Sequence, residues 1–139
     1  MSVTINGTTG ITTVDLTASG DVSVTGTITA SGDIDVSGAA TGTITTDNDL
    51  SFDMSAGNNF KCTPTANGTL TFTNITSGQS GNIWLDNSGG YTISASSAVY
   101  MSASDVTTIS TAGIYFMSYY SDGTNIAVAV TPAITSGGV

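Results

Sequence analysis

The charged side chains are the first place to look for chemistry in this chain, and they are few. Ten are aspartates, one is Lys61, and there is no glutamate, arginine or histidine, so the formal net charge is −9. The usual general bases, nucleophile activators and oxyanion clamps are therefore nearly missing. Paired aspartates could hydrolyse glycosides, but those at 15, 21, 33 and 35 fall on the polar face of an alternating segment. We expect no enzymatic activity, no catalytic residue and no cofactor.

Two groups of aspartates could bind a hard cation such as calcium through oxygen ligands. They are Asp33 with Asp35, and Asp47 with Asp49 and Asp53. Neither group has the spacing of an EF-hand loop or of the glycine-rich calcium repeat. We therefore expect these carboxylates to be ordinary solvated charges and predict no metal site.

The same charge balance excludes two classes of partner. A chain without a basic patch is poorly suited to nucleic acid or to an anionic membrane surface, and it has no apolar run of about 18 residues to span a bilayer. The first ten residues show neither the basic nor the apolar region of a secretory signal. Cys62 is the single cysteine, so we expect a small buried side chain and no intrachain disulfide.

The first third of the chain follows a strand pattern. From Val14 to Ile44, every even-numbered residue is apolar or glycine, and every odd-numbered residue except Ala39 is Asp, Thr or Ser. Such alternation predicts a β-strand with one dry face and one wet face. Glycines recur at 20, 26, 32 and 38 and divide the segment into hexads such as "GDVSVT" and "GTITAS". Because glycine in a strand marks a bend or a close backbone approach, we predict a repetitive β-ribbon of solenoid or fibre-shaft type.

This ribbon is not expected to be stable alone. Burial of its eight large aliphatic side chains is too small to offset the entropy lost in ordering the segment. The missing apolar surface must come from other chains or from the next domain. Identical chains would supply identical hexads at the same height, so an intertwined homo-oligomer is the economical solution, and we predict a homotrimer. We predict that residues 1–46 form this ribbon and serve oligomerisation or capsid attachment. The candidate interface residues are Val14, Leu16, Val22, Val24, Ile28, Ile34, Val36 and Ile44.

Residues 47–139 have the pattern of many short strands. Apolar runs are separated by turn sequences such as "AGNN", "TSGQSG" and "SGG", and most of the aromatic residues lie here. The pair Asp122–Gly123 stands between the long runs "GIYFMSYY" and "IAVAV", which predicts a β-hairpin. We predict a β-sandwich or jelly roll with its own core, and hence an all-β protein.

Several motifs in this half resemble a domain that recurs in virion proteins of tailed bacteriophages, especially fibre-like and particle-surface proteins. The matching residues are Phe60, Asn67 to Phe72 ("NGTLTF"), Asn74, Gly78 to Gly81 ("GQSG"), Gly89 to Ile93, Ser110 to Gly113, and Ser118 to Asn125 ("SYYSDGTN"). The resemblance covers roughly residues 47–131. It implies a β-sandwich with a structural role in a virion, and it brings no catalytic residues.

Together these expectations describe a non-enzymatic structural protein on the exterior of a virion. The favoured role is a homotrimeric capsid decoration, or cement, protein that contacts the major capsid protein or another virion protein. The alternative is a fibre or receptor-binding protein that recognises a host surface glycan or protein. A remote alternative is an ice-binding solenoid, suggested by Thr27–Thr29 and Thr43–Thr45, although these Thr-x-Thr pairs are out of phase with the hexads.

Overall fold

A computed structural model of the chain describes residues 18–135. The chain divides between Gly38 and Ala39 into two units. We call residues 18–38 the hexad segment and residues 39–135 the strand unit, and each is considered by itself. The predicted interface residues Val14 and Leu16 lie outside the described residues.

The hexad segment is an extended chain that bends at regular intervals. Bends fall at residues 19–20, 25–26, 31–32 and 37–38, so that each junction between hexads is a bend at a Ser-Gly or Thr-Gly pair. The described part of the chain shows no strand pairing and no backbone hydrogen bond for this segment. The predicted ribbon therefore has the expected periodicity but forms no ladder within residues 18–135, because no strand of that range pairs with it.

The strand unit contains nine strands, one α-helix and one 3-10 turn at Met54–Ala56 among its described residues. The strands are β1 (Ile44–Thr46), β2 (Ser51–Asp53), β3 (Asn59–Cys62), β4 (Gly68–Thr73), β5 (Ser80–Asn87), β6 (Ile93–Ala95), β7 (Val99–Tyr100), β8 (Gly113–Ser121) and β9 (Ile126–Val130). The helix α1 (Ala103–Ile109) lies between β7 and β8. The predicted all-β class is confirmed, with this single short helix as the exception.

The strands form two sheets. One has the order β1-β3-β5-β8-β9-β7 and the other has the order β2-β4-β6. The first six strands alternate between the sheets, and each of β1 to β4 pairs in parallel with the strand two places further along the chain. The chain therefore winds as a coil that places one strand in each sheet per turn. Strand β8 then pairs antiparallel with β5 and β9, and β7 pairs in parallel with β9.

This winding differs from the predicted jelly roll. A jelly roll is built of antiparallel strands joined as Greek keys, whereas five of the seven strand pairs here are parallel. The reason is that each connection between β1 and β6 crosses to the other sheet. Two successive strands of the same sheet are therefore separated by a strand of the facing sheet, and they run in the same direction. Parallel neighbours need such crossovers, which in this chain are made by strands of the facing sheet.

The predicted hairpin is confirmed. Strands β8 and β9 are joined by a turn in which Gly123 has a φ of +99°, a conformation that favours glycine. The carboxylate of Asp122 accepts hydrogen bonds from the backbone N–H groups of Thr124 at 2.8 Å and Asn125 at 2.6 Å. The side chain of Asp122 thus provides the hydrogen-bond acceptor for two backbone N–H groups of the turn, as expected of an aspartate at the start of a turn.

The core lies between the two sheets. The ring of Phe52 on β2 lies 5.1 Å from that of Phe60 on β3 and 5.6 Å from that of Phe72 on β4. The ring of Tyr119 on β8 lies 5.3 Å from that of Phe72. These separations suit tilted aromatic pairs, and because the four rings come from both sheets, they join the two layers.

Candidate functional site

Five of the predicted interface residues lie in the hexad segment, and all five are exposed. Between 48% and 68% of each is accessible to solvent. They are Val22, Val24, Ile28, Ile34 and Val36. Their positions share one parity, and apart from Ala30 the residues between them are polar or glycine. A row of aliphatic side chains left in water over so short a stretch is a feature of interaction surfaces.

No contact with the described residues accounts for the glycines of the hexad segment. None of Gly20, Gly26, Gly32 and Gly38 is among the residues with a positive φ. A Cβ built on any of the four would meet no described atom within 4 Å. Neither left-handed backbone nor crowding by the described residues therefore requires glycine at these bends. Glycine in an extended segment favours a bend or the close approach of another backbone, and all four glycines lie at bends where the open Cβ position leaves room for such a neighbour.

The eighth predicted interface residue, Ile44, lies in the strand unit, on β1. It is 65% exposed and sits on the side of the six-stranded sheet turned away from the three-stranded sheet. We call this side the outer face. It also carries every large exposed hydrophobic side chain of the described strand unit. The set is Ile44, Trp84, Tyr100, Phe116 and Tyr120.

The outer-face aromatics are neighbours across the strands. Trp84 on β5 is in register with Lys61 on β3 and with Phe116 on β8. Tyr120 on β8 is in register with Ala127 on β9, which in turn pairs with Tyr100 on β7. Cross-strand partners on one face lie within side-chain contact range. The aromatic residues therefore form a patch in two parts, Trp84 with Phe116 and Tyr120 with Tyr100, on either side of the polar pair Asn82 and Ser118.

A groove of about 520 Å³ runs along part of this patch. Its walls include Ile44, Asn59, Lys61, Trp84 and Phe116. The adjoining part of the face is polar, because Asn59, Asn82 and Ser118 lie in one row across β3, β5 and β8.

Sequence reasoning did not single out these outer-face residues. A signal for them is present, since Trp84 lies between the buried residues Ile83 and Leu85, and Phe116 lies between Tyr115 and Met117. Strands that are apolar on both faces are typical of sheets covered on both sides.

The acidic groups Asp47, Asp49 and Asp53 serve local structure. Asp49 accepts a hydrogen bond from the backbone N–H of Ser51 at 2.9 Å, and Asp53 accepts from Ser55 N–H at 2.9 Å and from Asn74 Nδ2 at 2.8 Å. Among the described residues, no three ligating side chains are grouped so that they could hold a metal ion. Asp33 and Asp35 lie exposed in the hexad segment.

The environments of these carboxyl groups shift their titration in both directions. Burial, together with the hydrogen bond to Asp49 and its charge, raises the pKa of Asp47. The hydrogen bond with Asp47 and that from the backbone of Ser51 lower the pKa of Asp49. Hydrogen bonds from Asn74 and Ser55 lower the pKa of Asp53. All three shifts follow from local hydrogen bonding and burial.

Cys62 is buried, as predicted, with its thiol in the core of the strand unit. Burial raises its pKa to about 11. The thiol is therefore protonated at neutral pH, and it lacks the thiolate character that a nucleophile or metal ligand needs.

In the described range, no helix has the length and apolar character needed to cross a membrane. Compared with family models, with curated proteins and with solved structures, the chain matches none of them.

Proposed function

We propose that this protein is a non-enzymatic structural subunit on the exterior of a phage particle and that it assembles as a homotrimer through its hexad segment. The observation that carries the proposal is the state of that segment in a single chain. Its aliphatic side chains are exposed, and its backbone N–H and C=O groups make no hydrogen bonds within the described residues. An extended segment of this kind is a template for pairing with another chain.

Identical copies are the partners that suit this segment best. Its bends repeat every six residues, so a second copy in the same register brings bend against bend and aliphatic against aliphatic. The four glycines leave room for a neighbouring backbone at each bend. A heteromeric partner would need a matching repeat of its own, whereas self-association supplies that repeat without further requirement.

Three is the smallest number of chains that can form a closed ring in which each chain pairs with a different neighbour on each of its two edges. An extended chain has hydrogen-bonding groups on both of its edges, and a pair of chains leaves one edge of each unpaired. A closed ring of three gives every chain a neighbour on each side and turns the three apolar faces toward a common axis. The polar residues between the aliphatics, including Asp21, Asp33 and Asp35, then face solvent.

The motifs of the strand unit support the phage assignment. Asn67 to Phe72, Gly78 to Gly81 and Ser118 to Asn125 resemble a domain of tailed-phage virion proteins. We propose a capsid decoration role first, with the major capsid protein or another virion protein as partner. The second candidate is a fibre or receptor-binding protein. Both roles use the same trimer.

Variants in the hexad segment test the assembly directly. Ile28→Asp and Ile34→Asp place a charge on the predicted shared face, where three copies would bury three carboxylates together. We expect either substitution to abolish the trimer in sedimentation equilibrium while the far-UV circular dichroism of the strand unit is kept. Thr29→Asp adds the same charge at an exposed residue of the opposite parity and should leave the trimer intact. A wild-type trimer from Ile28→Asp or Ile34→Asp would contradict the proposal.

Electron microscopy of particles labelled at this protein separates the two roles. Hundreds of copies distributed over the head would identify a decoration protein. A small number confined to the tail would identify a fibre. Absence of the protein from purified particles would overturn both.

A further inference from the structure

We propose that the outer face of the six-stranded sheet is a second contact between copies of this chain. The proposal rests on the homotrimer put forward above and adds to it a surface in the strand unit, with Trp84, Phe116 and Tyr120 at its centre. Three observations on the strand unit carry it, namely the placement of its exposed apolar side chains, the extent of the patch, and the distribution of charge.

The first observation is the segregation of exposed apolar side chains. Trp84 is 42% exposed, Tyr120 is 56% exposed and Tyr100 is 61% exposed, and all point away from the core. The described strand unit has no comparable exposed hydrophobic side chain elsewhere on its surface. Tryptophan, tyrosine and phenylalanine are the residues most enriched at the centres of protein interfaces.

The second observation is the extent of the patch. It reaches from Ile44 on the edge strand β1 to Tyr100 on the opposite edge strand β7. Six strands span about 24 Å, and the eight and nine residues of β5 and β8 extend for about 27 to 30 Å. The rectangle that encloses the sheet is therefore about 700 Å². The short strands β1, β3 and β7 fill only part of it, but its area is of the same order as the roughly 800 Å² that each partner contributes to a stable interface. A small ligand would occupy only a fraction of the patch, so its size favours a partner with a sheet of similar dimensions.

The third observation concerns charge. Each copy carries a net charge of −9, so copies repel one another unless they meet where carboxylates are scarce. Between Asp86, near the end of β5, and Asp122, in the β8–β9 turn, the outward positions of β5 and β8 carry no acidic residue. The charged residue that lies beside Trp84 is Lys61, a cation. A second acidic copy is therefore better accommodated here than on the surfaces that carry Asp47, Asp49 and Asp53.

The fluorescence of Trp84 tests this inference, because Trp84 is the only tryptophan in the chain. The full-length protein is studied by sedimentation equilibrium and by acrylamide quenching at the same concentrations. We expect quenching to fall and the emission maximum to move to shorter wavelength as the trimer forms. The Ile28→Asp variant, if monomeric, supplies the reference for an uncovered indole.

The possible results separate this inference from the proposed function. A trimer in which Trp84 is quenched as strongly as in the monomeric variant would overturn the outer-face contact but would still support a homotrimer formed through the hexad segment. A chain that stays monomeric at every concentration would overturn both. A trimer with a shielded Trp84 supports both.

A charge on the outer face provides the second measurement. Phe116→Glu and Tyr120→Glu should each lower the trimer association constant at least about tenfold, as expected for a residue at the centre of an interface. Thr73→Glu places the same charge on an exposed residue of β4, in the other sheet, and should leave the constant unchanged. Thermal melts show whether each variant is folded, and Phe116→Ala replaces Phe116→Glu if that variant is not. Equal association constants for folded wild type and outer-face variants would contradict the proposal.

A carbohydrate is the other ligand that the outer face could bind, through its aromatic side chains and the neighbouring Asn59 and Asn82. A glycan array probed with the wild-type protein and with Trp84→Ala distinguishes a carbohydrate ligand from a second copy of the chain. Glycan binding that is lost in Trp84→Ala, with no change in assembly, would assign the face to carbohydrate and overturn the subunit contact. Silence on the array, together with a shielded Trp84 in the trimer, is the result that we expect.

Discussion

The hydroxyl group of Tyr119 donates a hydrogen bond of 3.0 Å to the carbonyl oxygen of Asn58. The same oxygen accepts the backbone N–H of Asn82 at 3.0 Å. The link that leads into β3 is thereby fastened to β5 and β8, at the end of the sheet where these three strands meet. Because Tyr119 is also part of the aromatic cluster, its ring fills the core while its hydroxyl anchors a loop.

Gly81 is required for this close approach. A Cβ on Gly81 would lie 1.6 Å from the carbonyl oxygen of Asn58 and 2.7 Å from the hydroxyl of Tyr119. We therefore expect Gly81→Ala to lower the free energy of unfolding by about 3 kcal/mol or more, since backbone must move to admit the methyl group. Ser80→Ala, at the exposed neighbouring position, is the control and should change it by less than about 0.5 kcal/mol. Urea unfolding at a fixed protein concentration measures both, and equal stabilities would contradict the role of Gly81.

Asn87 is the buried polar side chain that ties the end of β5 to the helix. Its Nδ2 donates to the carbonyl oxygens of Tyr91 and Ile109, each at 2.8 Å, and its Oδ1 accepts from Tyr91 N–H at 2.9 Å. Replacement by leucine would leave these backbone groups without their partner, so we expect Asn87→Leu to cost about 2 to 4 kcal/mol.

The control for Asn87→Leu is Thr92→Ala, an exposed side chain that follows the same turn. It should leave the urea midpoint close to that of the wild type. A midpoint for Asn87→Leu that equals that of Thr92→Ala would show that the hydrogen bonds of Asn87 contribute nothing to stability.

Acid should weaken the fold through the β8–β9 turn. Hydrogen bonds from the backbone of Asn125 and Thr124, and from the Asn125 side chain, lower the pKa of Asp122 below 3.8. A carboxyl group whose pKa is depressed in the folded state stabilises that state above its unfolded pKa, and this stabilisation is lost as the pH falls through the folded pKa. The shift of Asp53 has the same sign, whereas the raised pKa of Asp47 has the opposite sign and partly offsets them.

We therefore expect the urea midpoint to fall between about pH 5 and pH 2, with a smaller fall in Asp122→Asn because this variant has no carboxylate to protonate. At pH 5 the variant should be less stable than the wild type, and the two should converge in acid. If the urea midpoints of the two proteins fell in parallel over this pH range, Asp122 would not be responsible for the loss of stability in acid.

The features that follow from local pattern were predictable. The "DG" pair predicted the β8–β9 hairpin because few residues other than glycine adopt the conformation of Gly123. The predicted core of the second half is confirmed by the buried rings of Phe52, Phe60 and Phe72, and Cys62 is buried as expected.

The pairing of the strands was not predictable in this way. Apolar and polar residues alternate with a period of two in both parallel and antiparallel strands. The sequences of β1 and β3 therefore do not indicate that Ile44 pairs with Asn59 in parallel. Helix α1 was missed because seven residues are too few to show a helical period. Its N-cap, Ser102, whose Oγ accepts a hydrogen bond from Asp105 N–H at 3.0 Å, was the available signal.

The outer face was missed for a related reason. The sequence alone does not assign Trp84 and Phe116 to a face, because an aromatic residue between apolar neighbours does not reveal which face of the strand it occupies until the register is known. Once the register is known, the parity of Ile83 and Met117 assigns them to the core, and Trp84 and Phe116 to the outer face.

The mass of the full-length protein in solution, measured by sedimentation equilibrium at micromolar concentration, tests the central claim most directly. The exposed aliphatic row of the hexad segment and its backbone, unpaired among the described residues, predict a species with the mass of three chains. A folded species with the mass of one chain over the same concentration range would contradict the account.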